Sequence, residues 1–157
     1  MISLAPRNAH DDLFEVYSTN KDYWRYSGDL DPENINRSAV AAMLADLAFE
    51  EEALVARDGA GRIVGYVQVL PQHPKDDHPW IGLLLVDGRY RRQGHGRAIA
   101  AAIEQRFRDA GARAVRLGVL TNNVEAQHFW TALGYRRIDL RPDLAKGRAT
   151  LVLEKPL

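Results

Sequence analysis

Apolar residues recur along this chain with two different periods, and the places where the period changes mark its elements. After a short apolar start at Ile2–Ala5, Leu13, Phe14, Val16 and Tyr17 fall at helical spacing and predict a first helix over Asp11–Tyr17. The segment Tyr23–Pro32 is rich in aromatics and acids and ends in turn residues, so a loop is expected there. Ser38 opens an Ala-rich run in which Val40, Met43, Leu44 and Leu47 repeat every three to four residues, predicting a second helix that reaches Phe49. The period then shortens. Ala53–Arg57 and Ile63–Leu70 are β-prone runs joined by Asp58-Gly59-Ala60-Gly61, the pattern of a hairpin.

Pro71–Pro79 is polar and holds three prolines, which suits an exposed loop. Trp80-Ile81-Gly82-Leu83-Leu84-Leu85-Val86 follows, without a polar side chain in it. Such a run suits a strand covered on both faces or a turn of buried helix, and its length and flanking turn residues favour the strand. Ile99, Ala102, Ile103 and Phe107 set the stripe of a helix over Gly96–Asp109, closed by Gly111. A strand at Val115–Leu120, a helix at Val124–Leu133 closed by Gly134, and strands at Tyr135–Leu140 and Ala149–Glu154 complete the order. A hairpin followed by alternating strands and helices predicts an α/β fold, with a mixed sheet carrying helices on both faces.

Composition narrows the function. The 157 residues suit one domain over 1–157, and a chain of this length buries about 70% of its unfolded surface, enough for a core without staples. Twenty-one basic residues balance 21 acidic ones, so no broadly basic surface is available for nucleic acid. No run approaches the roughly 18 apolar residues of a spanning helix, and Met1–Arg7 does not read as a signal peptide; no membrane partner and a cytoplasmic location are expected. The absence of cysteine excludes disulfides, zinc–thiolate sites and a cysteine nucleophile. His73 and His78 lie beside acids, but two histidines on a polar loop read as solvated, as does His128, and no metal site is expected.

Against this neutral background one segment stands apart. Arg89-Tyr90-Arg91-Arg92-Gln93-Gly94-His95-Gly96-Arg97 carries four arginines and no acid, between an apolar strand and the first turn of an amphipathic helix. A helix start exposes unpaired N–H groups and the positive end of the peptide dipole, and glycines let an anion approach them, so phosphate binding is expected. The dinucleotide fingerprint would want a third glycine where Ile99 stands, and a phosphate-binding Gly-Lys-Ser/Thr would replace Gly96-Arg97-Ala98; neither pattern fits.

Arg91-Arg92-Gln93-Gly94-His95-Gly96 resembles the Gln/Arg-x-x-Gly-x-Gly/Ala signature of the GCN5-related N-acetyltransferase (GNAT) family, whose backbone amides hold the pyrophosphate of acetyl-coenzyme A. Asn123-Val124-Glu125-Ala126-Gln127-His128-Phe129-Trp130-Thr131-Ala132-Leu133-Gly134-Tyr135 is similar to the family's downstream motif, and the likeness spans roughly residues 52–140. Asn123 at the helix start is either a cap or a contact to the pantetheine arm.

The resemblance implies a mixed, mostly antiparallel sheet of six or seven strands flanked by about four helices, with a splayed strand pair holding the cofactor. It implies an N-acetyltransferase that uses acetyl-coenzyme A, without a metal, to modify the amine of a small molecule or protein; family members often dimerise, so a homodimer is one option. Leu84 and Val86 would offer backbone groups to pantetheine, and Arg91, Arg92, Gln93, Gly94, Gly96 and Arg97 would surround the pyrophosphate. The Leu84 N–H would polarise the thioester carbonyl. The family's usual proton-transfer groups are missing: its tyrosine position holds Trp130, and its glutamate positions hold Trp80 and Gly118. Either His78, Asp77 or Tyr26 serves instead, or water relays the proton and catalysis rests on proximity, the reading favoured here. Tyr23, Trp24, Tyr26, Asp29, Asp31 and Glu33 fall in the region that roofs the acceptor in the family; they suit a cationic amine, or equally a solvated acidic loop with packed aromatics. The alternative function is a non-catalytic acetyl-coenzyme A-binding sensor or interaction module.

Overall fold

The computed structural model describes residues 1–47, 50–142 and 148–157. In chain order the elements are β1 (Ser3–Pro6), α1 (Phe14–Ser18), α2 (Lys21–Ser27), α3 (Arg37–Ala45), β2 (Glu52–Arg57), β3 (Ile63–Leu70), β4 (Trp80–Val86), α4 (His95–Asp109), β5 (Ala114–Leu120), α5 (Val124–Ala132), β6 (Arg136–Pro142) and β7 (Ala149–Pro156). Among the described residues, seven strands form one sheet in the order β1-β2-β3-β4-β5-β7-β6, antiparallel throughout except where β4 meets β5. The apolar run Trp80–Val86 is therefore a strand. The expected end of the second helix at Phe49 lies outside the described residues.

Alternation along β2 and β3 sends side chains to two separate cores. Leu54, Ala56 and Val67 face Ile99, Ile103 and Phe107 of α4 and Trp130 of α5. Val55 and Tyr66, with Leu85 of β4, face Tyr17, Trp24, Val40 and Leu44 of α1, α2 and α3. Ile99 and Ile103 are fully enclosed, and burial of each contributes about 1.5–3 kcal/mol to docking α4 on the sheet.

The loop expected over Tyr23–Pro32 is in its first half a helix, α2, which brings the described helices to five where about four were expected. Tertiary burial outweighs the local turn signals. Trp24 is fully buried, stacks on Tyr17 at 5.3 Å between ring centroids, and donates its indole N–H to the Tyr17 carbonyl at 2.8 Å. Gly28, at φ 75°, then stops the helix by donating its N–H to the Trp24 carbonyl.

The feature that positions the site is the brevity of the β4–β5 pairing. Only Trp80 and Ile81 pair with β5, opposite Arg116 and Leu117. Next to them, Gln68 faces Leu83 and Val69 faces Ile81, so Gly82 is an extra residue, a bulge that bends and twists β4. Beyond the bulge β4 follows β3 while β5 follows β7 over its whole length, and the two strands splay apart. The root of the splay is clamped. Arg116 donates to Asp76 at 3.0 Å and to Glu154 at 2.8 Å, and the Trp80 indole donates to Asp76 at 3.1 Å. Burial pulls the Asp76 carboxyl up, but hydrogen bonds from the His78 amide, Trp80 and Arg116 outweigh it and hold it below the ordinary carboxylate range.

A second polar lock joins α4 to the end of the chain: Glu104, 6% exposed, accepts from the Tyr135 hydroxyl at 2.9 Å and from Lys155 at 2.8 Å. Removing the carboxylate leaves the buried Tyr135 phenol without its acceptor and the partly exposed Lys155 without its partner. Glu104→Ala is expected to lower unfolding stability by about 2 kcal/mol and Tyr135→Phe by about 1 kcal/mol, measured by urea denaturation.

Candidate functional site

A cleft of about 660 Å³ occupies the splay. Its floor is the upper half of β4, one wall is the first turn of α4 with the loop before it, a second is α5, and α2 closes the far end. Backbone geometry decides what β4 offers. The Asp87 N–H bonds to the Val64 carbonyl of β3, so by alternation Leu85 also turns its polar groups toward β3, and Leu84 and Val86 turn theirs into the splay. The Val86 carbonyl is taken by the Asn20 side chain at 2.9 Å, leaving the Leu84 N–H and C=O and the Val86 N–H directed at the cleft.

Donors accumulate at the other wall. The first backbone bond of α4 runs from the Ala98 N–H to the Gly94 carbonyl, so the amides of His95, Gly96 and Arg97 have no partner within the helix. The Asn36 and Asn123 side chains cap α3 and α5, whereas α4, like the short helices α1 and α2, has no side-chain cap among the described residues. The loop reaches this point through two residues in the left-handed region, Arg92 at φ 61° and Gly94 at φ 79°. Gly96 is needed for a different reason: a Cβ there would stand 3.2 Å from the Phe129 ring and 3.6 Å from Val86, so its smallness lets α4 approach α5 and β4.

Leu84, Val86, Arg91, Arg92, Gly94, Gly96, Arg97 and Asn123 all line this cleft, while Gln93, on the same turn, is exposed outside it. Asn123 is a cap, its side-chain oxygen accepting the Ala126 N–H at 3.1 Å, and it also borders the cleft. The four arginines are not equivalent. Arg89 is bound to the buried Asp87 carboxylate at 2.8 Å, whereas Arg92 and Arg97 make no ion pair among the described residues.

Of the residues weighed for proton transfer, Tyr26 borders the cleft. His78 and Asp77 precede β4 at its opposite end and line a separate surface pocket; at ~3.3 Å per residue the strand puts them about 20 Å from the mouth of the splay. Trp130 is buried and packs edge-on against Phe129 and Tyr135. Gly118 is exposed, and a Cβ there would stand 2.8 Å from a Thr150 methyl, which would have to move to admit a side chain. Two further titratable groups carry no sequence signal for proton transfer. Tyr23 of α2 lines the cleft, and burial, helped by Asp29, pushes its phenol up to about 12. The half-buried Glu51 carboxylate lies 4.0 Å from where a Cβ of Gly82 would be, and burial, with Asp46, raises its pKa.

The acetyltransferase (GNAT) family profile matches residues 13–135. Over 93 residues the chain is 41% identical to mycothiol acetyltransferase of Kineococcus radiotolerans, a match that takes in 50% of this chain and 30% of that protein. The chain thus spans less than a third of that relative. An acetyltransferase from Thermus thermophilus superposes with a TM-score of 0.75 at 21% identity, covering 99% of this chain and 97% of its own. A GNAT family acetyltransferase from Elizabethkingia anophelis, solved with acetyl-CoA bound, gives a TM-score of 0.66 at 15% identity over 99% and 98% of the two chains.

Arg92 offers a direct test of the loop's backbone. An L-residue in the left-handed region costs about 1–2 kcal/mol, while glycine loses roughly 0.5–1 kcal/mol more chain entropy on folding. Arg92→Gly is therefore expected to raise stability by about 0.5–1 kcal/mol, read as a higher urea midpoint with unchanged slope.

Proposed function

The chain belongs to the acetyltransferase (GNAT) family, and we propose that it transfers the acetyl group of acetyl-coenzyme A to the amine of a small molecule or protein. One observation carries this reading: an unpaired stretch of strand backbone and an uncapped helix start with free amides face each other across a single cleft. A flexible chain of amides ending in a diphosphate has the two chemistries that these walls complement.

Bound acetyl-coenzyme A supplies an activated thioester. The residues of this chain do the rest by holding and excluding. The amides of His95, Gly96 and Arg97, with Arg92 and Arg97 beside them, neutralise the diphosphate. The Leu84 N–H donates to the acyl oxygen and stabilises the charge that develops there when an amine attacks. Phe129 and Trp130 keep the wall apolar, so water competes poorly for the carbonyl. On the far side α2 presents Tyr23 and Tyr26, two rings that suit an incoming ammonium, beside Asp22, whose carboxylate is shared with Arg25 at 2.8 Å.

The Trp130 indole is a poor acid, and the Tyr23 phenol, pushed up to about 12, holds its proton too tightly to be an efficient donor to a departing thiolate. Rate enhancement then comes mainly from alignment of amine and thioester, with water carrying the protons.

Release of free thiol from acetyl-coenzyme A in the presence of a panel of primary amines measures the activity; turnover above the uncatalysed rate is expected for at least one. Binding of coenzyme A without turnover by any amine would instead favour a non-catalytic module. Trp130→Tyr is expected to change the rate less than about threefold, and a large gain with a new basic limb in the pH profile would contradict the alignment mechanism. Gly96→Glu should abolish coenzyme A binding in calorimetry, because the side chain pushes into Phe129 and carries a negative charge to the anion wall.

A further inference from the structure

The corner where α1 ends and α2 begins makes a set of polar contacts that the proposed chemistry does not use. Three of them cross to the segment between β4 and α4. Asn20 donates to the Val86 carbonyl at 2.9 Å, the Thr19 hydroxyl accepts the Gly88 N–H at 2.7 Å, and the Thr19 carbonyl accepts from the Arg91 guanidinium at 3.0 Å. The corner is itself anchored, because Asn20 also donates to the Val16 carbonyl at 2.6 Å and the Thr19 hydroxyl donates to the Glu15 carbonyl. Every donor hydrogen of the two side chains is used. The Thr19 hydroxyl spends its one hydrogen on Glu15 and a lone pair on Gly88, and the Asn20 amide spends both hydrogens on carbonyls. Gly88 is seated so closely that a Cβ there would stand 2.7 Å from the Thr19 Cβ.

These partners lie where the splay has removed ordinary support. Among the described residues the end of β4 has no strand on its outer side, and the Asn20 amide takes the place of the missing backbone donor at Val86. Val86 and Arg91 both border the cleft, and α2, which begins at this corner, supplies its far wall. We infer that Thr19 and Asn20 are positioning residues: they hold the end of β4 and the arginine loop in the shape that accepts the diphosphate, and they couple occupancy of that loop to α2. This rests on the reading of the cleft as a coenzyme A site.

Calorimetric titration with coenzyme A tests the inference on the intact protein. Thr19→Val keeps the shape but removes the acceptor for Gly88, and a loss of affinity of about tenfold is expected, whereas Thr19→Ser, which keeps the hydroxyl, binds like the unaltered protein. Equal affinity for Thr19→Val and the unaltered protein, or a Thr19→Ser variant as weak as Thr19→Val, overturns it. A measurement that needs no variant is amide hydrogen exchange. The Gly88 amide is expected to be protected without ligand, and coenzyme A is expected to slow exchange at Gly88 and across α2 together. An unprotected Gly88 amide, or no response in α2, overturns the inference. If the unaltered protein fails to bind coenzyme A, the assignment of the cleft falls and takes this inference with it. If it binds and Thr19→Val binds equally, only the positioning role is lost.

Discussion

The cleft of this fold follows from a stretch of strand that, among the described residues, has a neighbour on one side only. Buried backbone polar groups must be satisfied, and β4 beyond Gly82 leaves those of Leu84 and Val86 facing a cleft instead of β5. The bulge at Gly82 opens the gap, and the Asp76–Arg116–Glu154 clamp fixes where the opening starts. Around the gap the molecule assembles substitutes. Asn20 pairs with one carbonyl, and rings from α5 shield the remainder. The groups that remain lie beside the uncapped start of α4, so one cleft gathers backbone donors and acceptors from a strand and a helix.

Charge follows the same logic of local arrangement. The balance of 21 against 21 says little about the cleft, where Arg92 and Arg97 stand without acidic partners among the described residues. Asp87, only two residues before Arg89, withdraws that arginine from the cluster by binding it at 2.8 Å. The loop is thus less basic than its composition implies, and more of its anion affinity rests on backbone amides. Backbone donors tolerate substitution of neighbouring side chains, which explains why an arginine can occupy the left-handed position at residue 92 that suits glycine better.

Much of this was legible in the order of residues. The apolar run ending at Val86, the glycine–arginine loop and the stripe of α4 are local signals, because strand, turn and helix start each leave a short pattern. Eight of the residues expected at the cofactor site do line the cleft, among them Leu84, Gly96 and Asn123, because the motif itself is a contiguous strand–loop–helix unit. Contacts that cross the sheet are the part that stayed hidden. Nothing in Thr19-Asn20 announces bonds to Val86, Gly88 and Arg91 some 66 to 72 positions away. The helix α2 was obscured because its formation depends on Trp24 finding Tyr17, a tertiary event that overrode the turn-forming residues around it. His78 and Asp77 are weighed only as titratable groups that could stand in for the missing proton-transfer residues, and the strand places them at the end of β4 away from the cleft.

The clamp at the root of the splay also has a mechanical meaning. From Ile81 to Val86 the strand extends about 16 Å at ~3.3 Å per residue while staying paired to β3, so the two strands together lean away from β5 from the Trp80–Arg116 pair onward. A rotation of only about 4° at that root would move the tip by roughly 1 Å over this length. Angular precision at the root is therefore magnified into aperture at the tip, and a guanidinium gripped between two carboxylates steadies that angle at the end farthest from the cleft, while β3 and Asn20 hold the tip itself.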